Sequence, residues 1–78
     1  MWIRSQNKRI LSDVNEVLMC PMDENKCIIS GFWDKGSDTL GIYSSECKAL
    51  MVLDKIESYL EYSHNIVFQM PTDDEVGV

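Results

Sequence analysis

Residues 44–63, SSECKALMVLDKIESYLEYS, constrain the fold more than any other stretch. Turned through about 100° per residue, Ala49, Val52, Leu53, Ile56, Tyr59, Leu60 and Ser63 fall within about 120° of one another. Glu46, Asp54, Glu57 and Glu61 lie outside that stripe. The spacing predicts an amphipathic helix over 44–63, with an apolar side wide enough to cover one face of a sheet. Ser44 or Ser45 is the candidate N-cap, and Glu46 opposes the positive end of the helix dipole. His64 and Asn65 follow the last periodic residue, and Asn is an acceptable left-handed stop. Leu50 and Met51 sit off the stripe, about 100° and about 200° round from Ala49. They are either scattered exposed apolar residues or a second contact surface for another copy or a partner.

A helix of this kind needs a sheet to cover, and the flanking runs supply one. Residues 2–5 read as a first strand and SQNKR (5–9) as a turn. A second strand runs from Ile10 to Cys20, broken or bulged near Asp13–Asn15, and Pro21 is expected to end it. Lys26 to Trp33 is the third strand, with Cys27, Ile29, Gly31 and Trp33 on one face. Gly31 there suggests a bulge, or a close approach by another backbone or a ligand. Asp34 to Asp38 is a turn, and Thr39 to Tyr43 is a strand leading into the helix cap. Asn65 to Met70 is the last strand. The expected fold is α+β: a small antiparallel sheet, ordered β-β-β-β-α-β, with the helix packed on one face. Residues 1–71 form the single domain, and 72–78 read as a mobile acidic tail. The second face of the sheet carries some of Trp2, Phe32, Trp33 and Tyr43, which points to burial against another chain.

Several function classes are disfavoured. No apolar run approaches the roughly 18 residues of a membrane span, and the opening lacks the apolar core of a signal peptide. A soluble protein of the cytoplasm is expected. The three cysteines show no C-x-x-C spacing, which suits a reducing compartment. With His64 the only histidine, no zinc set forms, and no metal or other cofactor is expected. Glycines 31, 36, 41 and 77 do not cluster into a phosphate cradle. The paired acids lie in turns or the tail, where nothing shields them for acid–base work, so no catalytic residue is assigned.

Charge is uneven. Residues 1–12 carry Arg4, Lys8 and Arg9 and no acid, whereas the whole chain has net charge −6. That total disfavours direct nucleic-acid binding. The acidic bulk suits a basic surface on another protein, and the basic start suits a small anion. Trp2, Arg4, Gln6, Lys8 and Arg9 form the candidate ligand site, with Trp33 as a further aromatic. Arg and Lys suit phosphate, Gln can read a base or amide edge, and an indole can stack on a base. Trp2 and Arg4 share strand parity, so they face the same way.

MWIRSQNK at the start, LGIYS at 40–44, ALMVLD at 49–54 and the later VFQMP together resemble a group of short phage and prophage proteins of Gram-positive bacteria. The resemblance implies a small accessory protein of mobile DNA and directs attention to host defence. Two binding functions follow. One is sequestration of a small phosphorylated, nucleotide-derived immune signal at the interfaces of a homo-oligomer. The other is inhibition of a host defence protein by an acidic surface that imitates nucleic acid. A regulatory adaptor carried by a prophage is a third.

Overall fold

Alternating side chains between Glu16 and Tyr43 build an antiparallel meander. A computed structural model describes residues 1–62 and 66–76. In it β3 (Glu16–Asp23), β4 (Lys26–Trp33) and β5 (Gly36–Tyr43) form one sheet in that order. The Asp23 carboxylate accepts the Asn25 N–H at 2.8 Å, closing the first turn of the meander. β3 runs on through Pro21, contrary to the expected stop. It is an edge strand, where a residue without an N–H leaves no central ladder bond unmade.

The expected single antiparallel sheet is two sheets. β1 (Trp2–Arg4) pairs antiparallel with β2 (Leu11–Asp13) and parallel with β6 (Phe68–Gln69), in the order β2-β1-β6. The division falls where the sequence breaks the alternation. The Val14 N–H bonds the Met1 carbonyl in one sheet, and the Asn15 N–H bonds the Phe32 carbonyl in the other, both at 2.8 Å. One bent strand thus crosses between sheets. At a second seam the Gln6 N–H bonds the Leu40 carbonyl at 2.7 Å. The strands wrap around a shared core of Ile3, Val14, Ile29, Leu40 and Tyr43, closed by Phe68 and Met70.

Gly31 sits where the wrapping is tightest. A Cβ there would stand 2.7 Å from Val14 Cγ1 and 2.9 Å from Leu40 Cδ1. The close approach expected at this glycine comes from side chains, and the register shift falls next to it, between Ile29 and Ser30.

α1 (Glu46–Tyr62) lies over the meander, with Ala49, Val52 and Ile56 buried. Ser45 is the N-cap, its Oγ accepting the Lys48 N–H at 3.1 Å. Tyr59 meets Phe68 edge-on at 5.3 Å. The buried stripe is narrower than its spacing suggests: Leu53 is half-buried, and Leu60 is 47 % exposed. The predicted helix stop at His64 and Asn65 lies outside the described residues.

The expected mobile tail is docked as far as Val76. Asp73–Glu75 forms a short 3-10 turn, and Val76 is 2 % exposed within the core. The Asp73 carboxylate accepts the Ser44 N–H at 2.8 Å and faces Lys48 Nζ at 3.5 Å. The Ser44 bond, with Lys48 adding to it, holds that carboxyl below the usual range. Burial, then Asp73 and Glu75, push the Tyr43 phenol up, so it remains a donor to the Pro71 carbonyl at 2.7 Å.

Candidate functional site

Strand register brings Trp2, Arg4, Leu11, Asp13 and Gln69 onto one outer face. Trp2 lies opposite Asp13, and Arg4 lies between Leu11 and Gln69. The turn that follows β1 is tightly knit. Ser5 N–H bonds the Ile10 carbonyl, Ile10 N–H bonds Ser5 Oγ, and Asn7 Oδ1 accepts from both Ser5 Oγ and the Arg9 N–H. These bonds hold Lys8 at φ 68°, in the left-handed region that a lysine adopts at a cost of about 1–2 kcal/mol. The bend turns the Lys8 carbonyl toward Arg4, whose Nε donates to it at 2.7 Å. Lys8 Nζ reaches across to Gln69 Oε1 at 3.1 Å. The guanidinium is therefore held at one nitrogen, and its two Nη groups have no partner among the described residues.

On the same face of the sheet Trp2 is 50 % exposed, and Leu11 is 52 % exposed. Asp13 is the acid on this face, and it pairs with the Met1 amine at 2.8 Å. Glu75 stands near enough for Lys8 to help hold its carboxyl below the usual range, after the larger effect of the Thr72 N–H.

The other predicted site residues are placed differently. Gln6 turns away: Oε1 accepts the Ile42 N–H and Nε2 donates to the Ile42 carbonyl, both at 3.0 Å. Its amide is committed to the β5 edge. Arg9 is exposed at the end of the turn. Trp33 lies in the other sheet opposite Gly36, half-buried against the core. It lines a hollow of about 200 Å³ with Asn15, Glu16, Phe32 and Asp34, which no residue of the Trp2 face shares. Leu50 is exposed, but Met51 packs against the core. Lys48 bonds the Asp73 turn, and Met51 sits one step of the helix further along the same side of α1.

No family model, curated protein or solved structure matches this chain. The site is therefore read from its own geometry. Among the described residues, no three His, Cys, Asp or Glu side chains gather as a metal would need, and no helix is long and apolar enough to cross a membrane.

Sequence reasoning missed two features. Gln69 joins the Trp2 face through the parallel β1–β6 pairing, which no local pattern announces. A groove of about 560 Å³ opens between α1 and the bent strand. Val14 and Ile56 form its floor, Met1, Val17, Leu53 and Leu60 its walls, and Asn15, Glu16 and Glu57 its polar margin. The exposed end of the helical stripe at Leu60 was the available signal.

Proposed function

We propose that the chain is a small, non-enzymatic binding protein whose Trp2 face holds a phosphorylated, base-containing ligand. The observation that carries this reading is the Arg4 guanidinium, fixed through Nε at 2.7 Å on the same strand face as the exposed indole of Trp2. A guanidinium held in this way presents its remaining N–H groups with little entropy left to lose, and suits bidentate bonding to phosphate. The indole supplies a stacking surface for a base. Lys8 and Arg9 add positive charge on the turn. The resemblance to phage and prophage proteins supplies the setting, an accessory protein that sequesters a nucleotide-derived signal of host defence. The face is open, so a second copy laid over it encloses the ligand, and the active form is a homo-oligomer.

The test is titration with nucleoside monophosphates and cyclic dinucleotides, read by calorimetry and by fluorescence of a Trp33→Phe variant in which Trp2 reports alone. Saturable binding is expected, weakened about tenfold or more by Arg4→Ala and only partly by Arg4→Lys. Failure of the whole series to bind, or affinity unchanged in Arg4→Ala, overturns the reading.

A further inference from the structure

The groove beside α1 differs from the rest of the uncovered apolar surface because the charged side chains at its margin are acids alone. The outer face of the β3-β4-β5 sheet, with Leu18, Ile28 and Ile42, carries charges of both signs at its ends, Glu16 opposite Phe32 and Lys26 opposite Asp23. At about 4.8 Å between strands and about 3.3 Å per residue, that face spans roughly 14 by 26 Å, well short of the roughly 800 Å² per partner of a stable interface.

We infer that the groove is a docking site for a basic segment of a partner protein, one that sets a large apolar side chain between Lys or Arg residues. The interior is apolar, and at about 560 Å³ it is the size of a binding pocket. Glu16 comes from the strand side and Glu57 from the helix side, and both are exposed. Neither forms an ion pair among the described residues, no Lys or Arg lines the groove, and the Met1 ammonium beside it is already paired with Asp13 at 2.8 Å. A cation beside the seated apolar group meets one carboxylate on either side. The net charge of −6 draws such a segment in and repels an acidic one. The site is separate from the Trp2 face and stands without the ligand proposed there.

The probe is a synthetic helical peptide with Leu on one side and Lys on the other, compared with a counterpart carrying Glu for Lys. Methyl signals of the intact chain are followed by NMR at physiological salt. Saturable shifts at Met1, Val17, Leu53 and Leu60 are expected with the Lys peptide alone, while Ile28 and Ile42 stay in place. Glu16→Gln with Glu57→Gln weakens binding about tenfold, and Glu24→Gln with Asp74→Asn leaves it unchanged. Leu60→Ser, at a residue already 47 % exposed, weakens binding in a folded chain. Shifts that do not saturate, equal loss in the control pair, equal binding of the Glu peptide, or signals showing that a second copy fills the groove would each overturn the inference.

Discussion

The Gln6 side chain bonds the Ile42 backbone at both its N–H and its carbonyl, each at 3.0 Å. A neighbouring strand makes the same pair of bonds, so one amide stands in for a strand at the β5 edge. The Gln6 main chain secures the same seam two residues earlier, at Leu40. Gln6→Ala is expected to cost about 1–2 kcal/mol in urea unfolding, with the slope unchanged. Because this amide is turned away from Trp2, nucleotide affinity measured on the folded variant should stay at the parent value. A loss of affinity there would place Gln6 in the ligand site after all.

Gly31→Ala should destabilise by about 1–3 kcal/mol, because the new methyl collides with Val14 and Leu40. Removing Val14 Cγ1 relieves the nearer collision. Val14→Ala with Gly31→Ala should therefore be more stable than the sum of the single changes predicts, which a double-mutant cycle measures. Strict additivity would mean that the backbone shifts to make room.

Acid should release the C-terminal turn first. Asp73 and Glu75 both have carboxyls held below the usual range, by the Ser44 and Thr72 N–H groups respectively. A lowered folded-state value adds stability above the ordinary carboxylate range, and that stability is lost as pH falls through the range to the folded value. Hydrogen exchange at the Ser44 amide should accelerate as pH falls below about 5, beyond its intrinsic pH dependence. Asp73→Asn should show the faster exchange already at neutral pH. An Ser44 amide insensitive to both would sink the idea.

The three thiols should separate into two classes. Cys20 and Cys47 are exposed, whereas Cys27 is 5 % exposed in the core. A disulfide reagent should modify two thiols at rates near that of a free peptide, and the third only as fast as the sheet opens. Three fast thiols would mean that β4 is paired differently.

The sequence made local order legible and left long-range pairing hidden. The helix, a serine cap at Ser44 or Ser45 and the shared face of Cys27, Ile29 and Gly31 follow from periodicity and cap chemistry over a few residues, whereas the choice of Ser45 and of the buried face rests on the packing. The break at Asp13–Asn15 was visible too, but not its meaning as a crossing between two sheets. Val76 joins the same buried cluster as Tyr43 and Met70, which a polar-looking tail does not reveal. At the candidate site, the shared face of Trp2 and Arg4 came from strand parity, as the register bears out. The Lys8 bend that fixes Arg4 did not, although it is local, because a lysine does not announce a positive φ; the capture of Gln6 by β5 did not because it depends on an edge brought in from elsewhere.

The parallel pairing of β1 with β6 also bears on the order in which the chain is made. Ile3 leaves the ribosome before its partner Phe68, with the meander and α1 made in between. The meander and its helix pair locally and can form during synthesis. The first strand must wait, its indole and isoleucine exposed, until the last one emerges. A chain cut short before Phe68 would therefore keep its antiparallel hairpins yet leave β1 without its parallel neighbour. Such a chain would be a natural target for chaperones and proteases.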